Sequence, residues 1–191
     1  MRGEWCYFKS RISKDACQKL LDGALKIEPH KATMGIDNNS FSDNQYRRSD
    51  IRFINHYDSE FEWVFDELWK MAIQANREFF GFNITNLEFL QVAEYRDDVQ
   101  GEYKRHHDTF WINDSPYHRK ISCVLQLTDP STYEGGDLEL YDLHSNYPNK
   151  KELREQGTAI FFPSFIPHAA TPVTKGTRHS LAAWFEGPKF V

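Results

Sequence analysis

The sequence predicts an α+β fold, helices first and then an antiparallel β-sandwich or barrel. Helical periodicity is confined to roughly the first 84 residues, and from residue 87 onward short β-type runs alternate with turn residues. The longest helical stretch also has a broad apolar face, which needs a sheet to cover it, and the later runs supply that sheet.

In chain order, residues 5–8 are short and aromatic and read as an edge strand. Ser13 is placed to cap a helix with Asp15 in its first turn, and Ala16, Leu20, Leu21, Ala24 and Leu25 keep the helical period to about Ile27. Residues 29–50 are polar, with Gly35, Asn38, Asn39, Ser40, Asn44 and Gln45, and read as a long loop bordering a site. It ends in Arg47 and Arg48, either a solvated basic pair or a substrate contact. A strand is expected at 51–54 and the main helix at 61–80, with Trp63, Val64, Phe65, Leu68, Trp69, Ala72, Ile73 and Ala75 on its apolar face. The strands of the sheet fall at 87–95, 101–108, 120–127, 137–141, 158–162 and 179–185. Gly135-Gly136 permits a tight turn, 109–118 is a loop, and 142–156 is a charged excursion. His30, His56, His118 and His144 are expected at the surface, and Phe161, Phe162 and Phe165 in the core.

At 191 residues one domain is expected, with 1–84 as helical support and 85–191 as the catalytic core. A net charge of -5 gives no footprint for nucleic acid or an anionic membrane. Cys6, Cys17 and Cys123 are odd in number and lack paired-ligand spacing, which points to reduced thiols. The N-terminus has no signal-peptide pattern, and no run nears the ~18 apolar residues of a membrane span. The expected location is cytoplasmic.

The chemistry lies in two runs, Tyr103-Lys104-Arg105-His106-His107-Asp108 and Phe162-Pro163-Ser164-Phe165-Ile166-Pro167-His168. On a strand, His106 and Asp108 share one face and His107 takes the other. That pair alone is a weak signal. His168, after an apolar strand and a Pro-Ser turn, is the candidate third ligand. Two imidazoles and a carboxylate leave three metal positions open, which suits Fe(II), whereas a structural zinc site is closed by four ligands. Arg178 and Ser180 share a strand face and can hold one carboxylate.

These residues resemble the signature of Fe(II)/2-oxoglutarate-dependent oxygenases, closest to the prolyl 4-hydroxylase-like branch. The resemblance runs from about 87 to 190. It takes in Tyr95…Gly101-x-Tyr103-x-x-His106-x-Asp108, Arg119-Lys120-Ile121-Ser122, Tyr133-Glu134-Gly135-Gly136-Asp137-Leu138, and Phe162-Pro163-Ser164…His168…Thr171-Pro172-Val173-Thr174…Gly176-x-Arg178. Trp184…Gly187-Pro188-Lys189-Phe190 closes it. The resemblance implies a double-stranded β-helix (a jelly-roll, cupin-like barrel) buttressed by N-terminal helices. It implies iron on His106, Asp108 and His168, and the distal carboxylate of 2-oxoglutarate on Arg178. Tyr95 is implied as a second contact, with Ser122, Gln126, Ser180 and Trp184 lining that pocket. Trp111, Tyr103, Arg47 and Arg48 are the candidates for the primary substrate.

The sequence departs from the pattern twice. Tyr95 to Tyr103 is one residue longer than in some relatives, and Gln126 stands where several prolyl hydroxylases carry an aromatic. The implied activity is O2-dependent hydroxylation coupled to decarboxylation of 2-oxoglutarate, with ascorbate as a candidate reductant and a prolyl residue of a protein or peptide as substrate. The alternatives are hydroxylation of a free amino acid or small metabolite and, in another class, a catalytically silent ligand-binding barrel.

Overall fold

Alternation along one strand explains most of the architecture. The computed structural model describes residues 1–31, 45–144 and 146–191. In its longest strand, β13 (Thr177–Pro188), Leu181, Ala183 and Phe185 are buried on one face, while Arg178, Ser180, Ala182 and Trp184 point the other way into a cavity. Its neighbour β5 (Phe89–Arg96) does the same, with Leu90 and Val92 toward the core and Gln91, Ala93 and Tyr95 toward the cavity.

These two strands sit near the middle of a seven-stranded sheet. Its other members are β1 (Cys6–Phe8), β2 (His30–Lys31), β4 (Asp50–Asn55), β7 (Tyr117–Gln126) and β10 (Ala159–Pro163), in the order β1-β10-β7-β13-β5-β4-β2. A four-stranded sheet lies across the cavity, ordered β3 (Arg47–Arg48), β6 (Glu102–His106), β11 (His168–Ala170) and β9 (Leu138–Leu140). A small ladder joins β8 (Glu134–Gly135) to β12 (Val173–Lys175). All pairings in these sheets are antiparallel, and the whole is a double-stranded β-helix.

Two helices cover the outer face of the larger sheet. In α1 (Lys14–Ala24) the Ser13 side chain accepts from the Ala16 amide, and Cys17, Leu20, Leu21 and Ala24 are buried. It stops at Ala24, three residues short of the expected end. In α2 (Glu62–Ala75) the buried positions Val64, Phe65, Leu68, Met71, Ala72 and Ala75 recur with helical spacing and pack on Leu90, Val92, Leu181 and Phe185. Ile73 is instead exposed, and the last turn of the expected helix is a π-turn at Asn76–Phe80.

Several expectations change. Among the described residues, the first 84 supply four strands as well as the helices, so they are more than helical support. β2 and β3 fall within the expected loop at 29–50, and β4 begins at its last residue; Gly35, Asn38, Asn39, Ser40 and Asn44 lie outside the described residues. Within 142–156, the short helix α3 (Lys150–Leu153) buries Leu153 against Leu138, Leu140 and Ile160. Phe161 and Phe162 are fully buried, Phe165 only half. No helix of the described residues is long and apolar enough to cross a membrane.

Gly157 holds two parts of the core together. Its φ is +81°, and a Cβ there would lie 1.8 Å from the Ile12 carbonyl oxygen, whose amide donates back to the Gly157 carbonyl. Gly157→Ala therefore meets left-handed strain and a backbone clash at once. It is expected to lower stability by at least ~1–3 kcal/mol, read as a fall in the denaturant midpoint. An unchanged midpoint would contradict this account.

Candidate active site

The β6–β11 ladder sets His106 directly opposite His168, with ring centroids 4.2 Å apart. Each Nδ1 faces a backbone carbonyl, Lys104 at 2.7 Å for His106 and Ile166 at 3.0 Å for His168. A carbonyl can only accept, so both Nδ1 atoms carry the proton and both Nε2 atoms present lone pairs. The two Nε2 atoms lie 3.6 and 3.4 Å from the two oxygens of Asp108.

Asp108 reaches this position off the strand. The expectation that it shares the strand face with His106 is corrected: β6 ends at His106, and the amides of Asp108 and Thr109 both donate to the Ser164 carbonyl. The turn of residues 163–166 therefore fixes the carboxylate. Ser122 Oγ donates to Asp108 at 2.7 Å and also contacts Ser164 Oγ at 2.9 Å. Burial alone would raise the Asp108 carboxyl, but the charge that the facing imidazoles of His168 and His106 carry when protonated, then Arg119 and the Ser122 hydrogen bond, hold it below its ordinary range. Burial, with His168 adding to it, pushes His106 down to about 3, so its ring stays neutral.

His106, Asp108 and His168 place one ligand atom each within 4.8 Å of one another, and could hold a metal ion. The donor set fits Fe(II): two ring nitrogens turned inward, one carboxylate oxygen, and oriented outer contacts on all three.

The cluster opens into a cavity of about 750 Å3 between the two sheets. At its buried wall is Arg178, 1% exposed, directly opposite Tyr95 in the ladder, with its guanidinium 5.3 Å from the Tyr95 ring. Gln126 Oε1 accepts from Arg178 Nε at 3.3 Å and Nη2 at 3.0 Å. Ser180 and Trp184 also line this wall. Ser122, expected beside them, is placed behind Asp108 instead.

On the other side, Tyr103 stacks on His106, with centroids 3.5 Å apart, and burial pushes its hydroxyl up to about 12. Arg47 lies over Tyr103 at 4.3 Å and lines the cavity. Arg48 turns away: it pairs with Glu102 at 2.8 Å and donates to the carbonyls of Val99 and Gln100. Alternation on a two-residue strand separates the neighbours, so the structure does not bring Arg48 to the cavity. Trp111 is half exposed against His118 and Phe190, outside the cavity lining. His118, expected at the surface, is 5% exposed and accepts from the Phe190 amide. It belongs to β7, which begins earlier than its apolar run.

Sequence reasoning missed the contacts of Gln126 and Ser164, and Arg119, which stacks over Trp184 at 4.0 Å and faces Glu186 at 3.9 Å. The resemblance had placed Gln126 along the pocket, and the register gives its contact: it pairs with Ser180, one side chain along the same face from Arg178.

Residues 90–186 match the family described as the 2OG-Fe(II) oxygenase superfamily. A PKHD-type hydroxylase of Synechococcus sp. is 33% identical over 91 residues, 48% of this chain and 39% of that protein. Another from Colwellia psychrerythraea is 36% identical over 79 residues, 41% of this chain and 34% of the relative. The match thus spans well under half the length of these relatives. Among solved structures, a prolyl-4-hydroxylase of Pseudomonas putida superposes with a TM-score of 0.72 at 19% identity, covering 99% of this chain and 94% of that one. A prolyl hydroxylase of Trichoplax adhaerens, in complex with a hypoxia inducible factor oxygen degradation domain peptide fragment, gives 0.73 at 17% identity, covering 96% and 83%. At such identities the likeness establishes the fold.

Proposed function

The chain belongs to the 2OG-Fe(II) oxygenase superfamily, and from that premise we propose that it is a hydroxylase acting on a prolyl residue of a protein or peptide. One observation carries the reading: a His/Asp/His cluster with both Nε2 lone pairs free shares a cavity with the buried cation Arg178.

In this reading His106, Asp108 and His168 hold Fe(II). Iron with bound 2-oxoglutarate and O2 would supply the oxidising chemistry, converting the keto acid to succinate and carbon dioxide while one oxygen atom enters a C–H bond. The chain's part is to bind and orient. The Lys104 and Ile166 carbonyls keep the imidazoles turned, and Ser122 keeps Asp108 turned. Arg178 takes the distal carboxylate of 2-oxoglutarate, with Tyr95, Ser180 and Trp184 along the same wall. The rings of Tyr95 and Trp184 on one side and Tyr103 on the other line the cavity and would limit water around the bound substrate. Ascorbate would serve as an external reductant.

The prolyl assignment is supported by the prolyl hydroxylases among the structural neighbours, one of them holding a peptide. A cytoplasmic setting fits Cys6, Cys17 and Cys123, all buried and unpaired.

The test is succinate release by anaerobically purified protein given Fe(II), 2-oxoglutarate and O2, with and without a proline-rich peptide library, beside His106→Ala. The expected result is succinate that needs His106, and a peptide product heavier by one oxygen atom at proline. Metal-loaded protein that releases no succinate would sink the reading.

A further inference from the structure

We infer that Arg47 is a second carboxylate anchor in the cavity, holding a carboxylate that the primary substrate carries near the carbon to be oxidised. The inference rests on the oxygenase reading above and narrows its substrate class. Arg47 is 7% exposed and lines the cavity. Its backbone is fixed by the β3–β6 ladder opposite Tyr103, its Nε donates to Ser49 Oγ at 3.1 Å, and its guanidinium lies over the Tyr103 ring. That ring stacks on His106, so the charge sits one ring's breadth from the metal cluster.

Among the described residues, Arg47 has no carboxylate within ion-pair distance. The acids nearest its strand are committed elsewhere: Asp50 to Lys31 and Arg96, Glu94 to Arg52, Arg96 and His179, and Glu102 to Arg48. Of the other cavity arginines, Arg119 faces Glu186, and Arg178, held by the neutral Gln126, is the one assigned to 2-oxoglutarate in the oxygenase reading. A buried cation without an anion is costly, and a planar guanidinium with its Nε already fixed is preorganised for the two oxygens of a carboxylate. Arg47 and Arg178 stand on opposite sheets, so the 2-oxoglutarate anchor and the substrate anchor do not compete. One unmatched positive charge suits one carboxylate better than a doubly charged phosphate.

The carboxylate has two possible sources, the α-carboxylate of a free amino acid or an acidic side chain beside the target residue in a peptide. The experiment separates them. The full chain is loaded anaerobically with Fe(II) and 2-oxoglutarate, so that ligands bind without reacting, and is titrated calorimetrically. Probes are the free proteinogenic amino acids, each beside its primary amide, and acetyl-Pro-Asp-amide beside acetyl-Pro-Asn-amide. At least one acid is expected to bind roughly tenfold or more tightly than its neutral partner. Arg47→Gln should erase that difference, Arg47→Lys should keep part of it, and 2-oxoglutarate affinity should stay within about twofold of wild type.

Preference confined to free amino acids identifies the α-carboxylate; preference confined to the aspartyl peptide identifies the side chain. If no acid binds better than its amide in wild type, or the preference survives in Arg47→Gln, the inference is overturned. The wild-type comparison does not depend on the variant folding. Failure of 2-oxoglutarate itself to bind would strike the oxygenase reading, and this inference with it.

Discussion

Asp108→Ala is expected to abolish metal binding and succinate release together while leaving the fold intact. The carboxylate is the one acidic donor in the cluster, and two imidazoles remain without it. Disturbing an outer contact of a metal ligand costs roughly 10–100-fold in affinity, and removing the ligand should exceed that. The segment itself is held by backbone, through the Asp108 and Thr109 amides on the Ser164 carbonyl, and alanine keeps both bonds. Ser122 and Ser164 can satisfy each other across 2.9 Å. The metal-free variant should therefore melt within a few degrees of the wild type, since a buried charge leaves along with its favourable contacts. Anaerobic Fe(II) titration, succinate release and a melting curve test the three parts. Retained iron affinity in a folded variant would remove Asp108 from the metal site.

What the sequence made legible follows from how local each feature is. Period-2 alternation in β5 and β13 is local, and so is the helical period in α2; those elements were visible, whereas the order of helices before strands was not kept, since β1 precedes α1 and β2, β3 and β4 lie between α1 and α2. The closeness of His106 and His168 is not local. It depends on a three-residue strand, β11, too short to leave a pattern, and on its register with β6. Residues 106–108 mislead in the same way. His-x-Asp reads as one strand face, yet Ser164, more than fifty residues on, takes the amides and turns the chain. His118 was misplaced because its burial comes from Phe190, 72 residues on, and from Trp111 across the preceding loop. Arg47 and Arg48 looked equivalent as a pair, and a two-residue ladder separated them. Gln126 was placed along the pocket by the resemblance, without a specific contact; its partner Arg178 is brought to it by the β7–β13 register.

That last pair yields the second large effect. Arg178→Ala is expected to raise the KM for 2-oxoglutarate by about 100-fold or more, the loss that follows when one partner of a buried charged contact is removed. Gln126→Glu tests the same charge from behind without shortening a side chain. In the present arrangement Gln126 Oε1 accepts two hydrogen bonds from Arg178 and contributes no charge, so the guanidinium keeps its full attraction for an incoming anion. A glutamate there would form a buried ion pair within the protein, and 2-oxoglutarate would have to compete with it. The KM for 2-oxoglutarate should rise about tenfold or more while kcat at saturation changes little, because nothing at the metal cluster has moved. Gln126→Leu separates orientation from charge: it leaves Arg178 charged but unanchored, and its KM should fall between those of wild type and Gln126→Glu. A Gln126→Glu enzyme with wild-type KM would mean that Arg178 does not receive the co-substrate carboxylate.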